Sequence, residues 1–114
     1  MAISSTLIAL SSHNVPSSQA TAYTVPGGTV RFRIDQASVT NYTGTPRDLT
    51  VYILQNGESV ANLTKAIDAL SIPANSTLAL FELVGRGIDT GGIINSFASA
   101  ASALSLSVTG TNNT

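Results

Sequence analysis

The chain has 114 residues, of which 43% are hydrophobic and only 10% are charged, with a net charge of −1 and no cysteine. This length indicates one domain, and the lack of cysteine excludes disulfides, a thiolate nucleophile and a cysteine-based zinc site. Five scattered Lys and Arg residues do not provide the basic cluster that phosphate backbones require, so nucleic acid is excluded as a partner.

The first twenty residues are expected to form an N-terminal arm or first strand ahead of a β-sandwich domain at residues 21–114. The segment lacks the positive n-region of a signal peptide, and no apolar run approaches the roughly 20 residues that span a bilayer. We therefore expect a soluble protein made in a cytosol, without a membrane partner. We predict an assembly arm that adds as a strand to a neighbour's sheet edge, through apolar residues unsuited to solvent: Ile3, Leu7, Ile8 and Leu10.

Two segments predict strands with one buried face. In Thr29–Ile34, hydrophobic residues alternate with Thr and Arg after a Pro-Gly-Gly turn. Ala37–Thr40 is expected to continue this strand or to pair nearby. In Leu49–Leu54, Leu49, Val51 and Ile53 are expected to face inward, and the strand stops at the turn dipeptide Asn56-Gly57. A period of two places alternate side chains on opposite faces of a sheet.

The second half of the chain contains less regular patterns. Leu63–Leu70 fits a short helical face as well as an irregular strand, and a strand with a bulge is the preferred interpretation. Thr77–Val84 predicts a strand that is apolar on both faces, while four glycines predict short elements at positions 85–92. Phe97–Ala103 is a loop or a helical turn, and the alternation of Leu and Val with Ser in Leu104–Val108 predicts a final half-buried strand.

Strands separated by turns every 8 to 12 residues or so indicate an all-β protein, an antiparallel β-sandwich of jelly-roll or immunoglobulin-like type with about seven or eight short strands. The two sheets would bury their inner faces against each other. The predicted core consists of the hydrophobic residues of these strands: Val30, Phe32, Ile34, Val51, Ile53, Leu78, Leu80, Leu106 and Val108.

The residue types that carry out catalysis or bind metals are few and scattered. The single histidine, His13, lies among Ser and Asn residues, and a catalytic relay would need a distant carboxylate directed at it. The glycine turns lack the spacing of phosphate-binding loops. We expect no enzymatic activity, no cofactor, no metal and no small-molecule substrate, since the acidic residues also stand singly: Asp35, Asp48, Glu58, Asp68, Glu82 and Asp89.

Three segments of the chain carry recognisable phrases: Tyr-Thr-Val-Pro-Gly-Gly at Tyr23–Gly28, Ile-Pro-Ala-Asn-Ser-Thr-Leu at Ile72–Leu78, and the alternating Ala, Ser and Leu segment at Ala101–Gly110. Taken together, they resemble the small β-sandwich virion proteins of tailed bacteriophages. The resemblance covers about Thr21–Gly110. A Gly-Asp-x-Ile motif common before the last strand is replaced by Gly87–Thr90, so the loop there is expected to differ.

The resemblance implies a structural virion protein, assembled in the bacterial host cytoplasm. The preferred role is a capsid decoration or cement protein, a homotrimer that stabilises the shell of the major capsid protein. A neck, collar or tail-fibre component fits the same residues, and copy number per particle would separate the two. A carbohydrate-binding or hydrolytic β-sandwich is the third alternative, disfavoured because the chain has no Trp and only 5% aromatic residues, whereas sugar platforms need exposed rings.

Overall fold

The computed structural model describes residues 5–25, 31–100 and 102–113, with side chains described for 14–25, 31–61, 63–100 and 102–112. Within these residues the chain forms nine β-strands and two short 3₁₀ turns, η1 and η2. Their bounds are β1 (Ser5–Asn14), β2 (Ala20–Thr24), β3 (Arg31–Asn41), β4 (Arg47–Leu54), η1 (Asn62–Thr64), β5 (Lys65–Ile72), β6 (Ser76–Ala79), η2 (Phe81–Leu83), β7 (Gly87–Asp89), β8 (Ile93–Ala98) and β9 (Leu104–Asn113).

The strands form two antiparallel sheets. The first has the order β1-β9-β3-β6, with β7 also paired to β3, and the second has the order β2-β8-β4-β5. Because β6 and β7 pair with successive parts of one edge of β3, they act as one interrupted strand. Eight strand positions that alternate between two four-stranded layers in this order define a jelly roll. The all-β sandwich is confirmed, and of the two predicted types the structure has the jelly roll.

A β-bulge divides β3 into two phases. Phe32 and Ile34 are buried as predicted, while Arg31 is exposed; Val30 lies outside the described residues. The register between β3 and β9 shifts between Ile34 and Gln36, which inserts one extra residue into β3. Such an insertion moves the following side chains by one position, so burial resumes at Ala37.

Strand β4 is buried on both faces, whereas the sequence predicts one. Leu49, Val51 and Ile53 are buried as expected. The intervening positions are buried as well because β4 is an inner strand whose outward residues pair with those of β8, and the rings of Tyr52 and Phe97 stack with centroids 6.3 Å apart. The cross-strand pairs on this face are Thr50 with Phe97, Tyr52 with Asn95, and Leu54 with Ile93.

The ambiguous segment after β4 is mainly a strand. Its first residues form η1, and β5 follows with register shifts opposite β4. Ala69 adopts a positive φ of 49°, and its backbone N–H donates to Thr50 Oγ1 at 3.1 Å. The preferred interpretation, a strand with a local irregularity, is confirmed for Lys65–Ile72.

The predicted strand at Thr77–Val84 is wrong beyond Ala79. The chain leaves the sheet there and forms η2, where Leu80 and Leu83 are both fully buried and Phe81 is 77% exposed. Residues three apart lie on the same side of a 3₁₀ turn, so both leucines reach the core, which period-two geometry would not allow. Leu78, predicted to be in the core, is only half-buried against it.

The last strand behaves as its alternation predicts. Leu104, Leu106 and Val108 are buried, while the intervening serines are half-buried. Gly110 continues the buried side, and a Cβ at this position would collide with the ring of Phe32. Before β9, Phe97 and Ala98 complete β8, and the described residues of the stretch that follows form bends and a turn.

A buried asparagine fixes the loop between β3 and β4. The Nδ2 of Asn41 donates to the carbonyl oxygens of Thr45 at 2.8 Å and Ile72 at 3.0 Å. Its Oδ1 accepts from the backbone N–H of Thr43 at 2.9 Å and from the Thr43 hydroxyl at 2.7 Å. The side chain is fully buried, and these four bonds offset the cost of removing the amide from water.

Candidate assembly surface

Strand β1 forms one edge of the first sheet. It pairs with β9 along its length, and no other described strand pairs with it. Its sequence, STLIALSSHN, contains no Lys, Arg, Asp, Glu or Pro, although proteins commonly blunt sheet edges with charges or proline. The register does shift between Leu10 and His13. The outer edge of β1 is therefore formed by ten residues that include no Lys, Arg, Asp, Glu or Pro. Such an edge is suited to pairing with another strand.

The predicted assembly-arm residues fall on this strand, apart from Ile3, which lies outside the described residues. Leu7 pairs with Thr111, Ile8 with Gly110 and Leu10 with Val108 in the antiparallel register of β1 and β9. The arm is thus a strand of the chain's own sheet. Its role in assembly stays a prediction.

A depression on the surface of the first sheet contains an exposed aromatic ring. It has a volume of about 330 Å³. Phe81 and Val84, on and after η2, are 77% and 45% exposed. We call this feature the Phe81 depression, and none of its lining residues is ionisable: Gln36, Ala37, Ser38, Ala79, Phe81, Val84, Ser107 and Thr109.

Asp35 on β3 forms an ion pair and a hydrogen bond on the first sheet. Arg33 Nε donates to Asp35 Oδ1 at 2.8 Å, and the Thr111 hydroxyl donates to Asp35 Oδ2 at 2.7 Å. The hydrogen bond from Thr111, followed by that from Arg33, lowers the pKa of the Asp35 carboxyl below its ordinary value. The bulge in β3 places Asp35 at this junction with β9. These contacts couple β3 to β9.

The structure brings few chemically active groups together. In residues 5–25, 31–100 and 102–113, no three His, Cys, Asp or Glu side chains are grouped so that they could hold a metal ion. The His13 backbone lies in β1. The carboxylate of Glu58 accepts a hydrogen bond from the backbone N–H of Gln55 at 2.7 Å, and the carboxylate of Asp68 lies 3.2 Å from the ammonium group of Lys65. In the same described part of the chain, no helix is long and apolar enough to span a membrane.

Two exposed apolar side chains were not predicted as surface features. The sequence pattern places Phe81 in a strand, whereas its ring is 77% exposed, and Leu63, in η1, is 99% exposed. Tyr42 is also exposed, and its hydroxyl donates to Asn14 Oδ1 at 3.1 Å. The three-residue spacing of Leu80 and Leu83 is a partial signal, because a 3₁₀ turn that buries both leucines turns the two residues between them, Phe81 and Glu82, outward.

Comparisons with known proteins identify the fold but not a family. No family model and no curated protein matches the chain. A protein of the disulfide-linked pili of Bacillus endospore appendages is similar with a TM-score of 0.59 and 12% identity, over 98% of this chain and 88% of that one. A chain of an infectious bursal disease virus particle gives a TM-score of 0.51 and 8% identity over 96% of this chain.

A chain from the Gx strain of infectious bursal disease virus has a TM-score of 0.51 and 13% identity over 96% of this chain. The present chain spans about a third of each virus chain, with 31% and 32% covered. At such identities the likeness shows the fold alone. The protein is a jelly-roll β-sandwich of the kind found in these pilus and virus-particle proteins, and nothing in these similarities is specific to tailed bacteriophages.

Proposed function

We propose that this chain is a structural subunit of a multi-copy protein assembly. The open edge of β1 carries the proposal, because ten uncharged residues at a sheet edge present backbone groups to a further strand. Strand addition supplies main-chain hydrogen bonds with little demand on side-chain identity. Leu7, Ile8 and Leu10 are the β1 residues assigned to this contact, with Ile3 preceding them.

The composition of the chain supports the same role. Only 10% of its residues are charged, against about 25% in an ordinary soluble domain. Charge keeps soluble proteins apart, so a weakly charged surface that draws its polarity from Ser, Thr and Asn is suited to contact with neighbours. Repetition then strengthens contacts that are weak individually.

In its finer form, the proposal is a virion protein of a tailed bacteriophage, a capsid decoration or cement protein bound to the major capsid protein. The sequence phrases at Tyr23–Gly28, Ile72–Leu78 and Ala101–Gly110 support this form, and jelly rolls are frequent in viral capsids. It includes a homotrimer, assembly in the host cytoplasm and a final location in the virion. It also includes the absence of enzymatic activity, cofactor and small-molecule substrate.

A subunit of a surface appendage is the second candidate. The similarity to the endospore pilus protein extends over 88% of that chain, so both are jelly rolls of nearly the same extent, while the virus chains are about three times longer. The present chain has no cysteine. An appendage built from it would be held by strand pairing and side-chain packing instead of disulfides.

Proximity cross-linking from β1 tests the proposal and separates its two forms. Since the chain has no cysteine, Ser11→Cys and Ser12→Cys each introduce one thiol into β1, and Ser71→Cys, exposed on β5, is the matched control. Each thiol is labelled with a maleimide-diazirine, and illuminated products from the assembled material are identified by mass spectrometry.

We expect the β1 labels to capture a neighbour and the Ser71→Cys label to capture much less. Capture of the major capsid protein supports decoration, whether or not another copy of this chain is captured too. Capture of another copy alone, from assembled material that contains no capsid protein, supports an appendage. A wild-type protein that neither self-assembles nor binds particles would refute the structural role. Equal capture from all three positions would refute the assignment to β1.

A further inference from the structure

The Phe81 depression lacks an occupant among the described residues. Phe81 exposes most of its ring, and Ala79 and Val84 provide further apolar surface beside it. The polar part of the lining consists of hydroxyl and amide groups. Because no lining group is ionisable, covering the depression removes no charge from water, and the desolvation cost is small. The depression is therefore suited to one apolar side chain of moderate size.

The chain itself carries such a side chain on a different element. Among the described residues, the exposed large hydrophobic side chains are Tyr42, Leu63, Phe81 and Val84. Phe81 and Val84 belong to the depression, and the hydroxyl of Tyr42 is bonded to Asn14. Leu63 is 99% exposed at the centre of η1, so its side chain gains almost no burial within its own molecule.

Opposite charges flank these two features. Lys65, the only lysine of the chain, lies two residues after Leu63. Glu82 follows Phe81 directly, is exposed, and forms no ion pair among the described residues. Lys65 is held by Asp68 at 3.2 Å on its own strand. An ammonium group beside the leucine and a carboxylate beside the depression are complementary, which orients an encounter between two molecules.

We propose that Leu63 of one copy docks in the Phe81 depression of a second copy, with Lys65 facing Glu82. This inference rests on the proposed structural role and names one contact between copies. The contact joins unlike surfaces, and such contacts generate rings or filaments. A depression of about 330 Å³ accommodates one leucine side chain. A stable interface buries about 1,200–2,000 Å² in total, which is far more surface than one inserted side chain covers. One contact is thus weak, and a repeated one is strong.

Complementation between two variants tests the docking. Leu63→Asp removes the inserted side chain and keeps the depression, while Phe81→Asp does the reverse. Both positions are exposed, so folding should be unchanged, which circular dichroism and the urea midpoint verify. Assembly is measured by analytical ultracentrifugation, or by occupancy where the wild type assembles only on particles. Leu63→Met, which retains an apolar side chain, is the matched control.

We expect each Asp variant to require at least about tenfold more protein for half-maximal assembly. At a protein concentration high enough to populate a single contact, an equimolar mixture of the two should form 1:1 heterodimers, because each heterodimer contains one intact pair of surfaces. Lys65→Glu and Glu82→Lys should each weaken assembly, and the double variant should restore it. Leu63→Met should assemble like the wild type.

Two results would overturn the docking. One is assembly of Leu63→Asp or Phe81→Asp at the wild-type concentration. The other is a mixture that, at the high concentration, forms no more dimer than either variant forms alone. In either case an assembling wild type leaves the structural role intact, so the two failures are distinguishable. A wild type that never assembles and binds no particle refutes the structural role, and the docking with it.

Discussion

Replacing Phe32 with Ala tests the register of β3, on which the arrangement of the first sheet depends. Phe32 is 2% exposed, and its ring lies 5.0 Å from that of Tyr23. The ring also covers Gly110 on β9, which has no side chain to fill the space that Ala would leave. A buried Phe→Ala change lowers the free energy of unfolding by roughly 3 to 5 kcal/mol. Because the neighbouring Gly110 cannot fill the cavity, we expect a loss in the upper half of that range.

The exposed ring of Phe81 provides a matched control, since Phe81→Ala removes the same atoms from a side chain that is 77% exposed. Its cost should stay within about 0.5 kcal/mol, as for most surface changes. Urea unfolding followed by far-ultraviolet circular dichroism measures both free energies. A loss below about 1 kcal/mol for Phe32→Ala, or equal losses for the two variants, would contradict the register.

Two further predictions concern polar contacts. Asn41→Leu should destabilise the protein by at least about 2 kcal/mol, because the buried amide makes four hydrogen bonds whose partners lose them; urea unfolding measures this, and a neutral effect would contradict it. Asp35 has a lowered pKa in the folded state, so its stabilising contribution is present above the unfolded-state pKa of about 3.9 and is lost as pH falls through the lower folded value. Asp35→Asn should therefore reduce the drop in unfolding free energy between pH 5 and pH 2 or so, and an unchanged pH profile would count against the Thr111 and Arg33 contacts as its cause.

The parts of the fold that were predictable are those where one face of a strand is buried. Phe32 and Ile34 in β3, and Leu106 and Val108 in β9, follow a strict period of two, which only a half-buried strand satisfies. The pattern fails where other geometry intervenes. The bulge at Asp35 shifts the phase of β3, and η2 buries Leu80 and Leu83 with a period of three.

The strand order was not predictable from a single sequence. Both jelly-roll and immunoglobulin-like sandwiches have short alternating strands separated by turns, and the difference lies in which strands pair across long sequence distances. The pairing of β1 with β9, which joins the two ends of the chain, has no local signal. The same holds for the Phe81 depression, because its lining comes from β3, β6, η2 and β9 and their adjoining residues.

The candidate surface was therefore only partly predictable. The apolar character of Leu7, Ile8 and Leu10 drew attention to the segment that forms β1, but not to its position at the edge of the first sheet. Leu63 lay in a segment with two possible structures, and neither indicated its exposure. Exposure depends on what packs above a residue, which one-dimensional spacing does not record.

A cryo-electron microscopy map of the particle or appendage from which the protein is purified tests the structural role most directly. We predict that the map contains this jelly roll in many symmetry-related copies, with a strand of a neighbouring molecule or shell protein against the outer edge of β1. A map in which the jelly roll is absent, or in which it is present with the β1 edge facing solvent in every copy, would contradict this account.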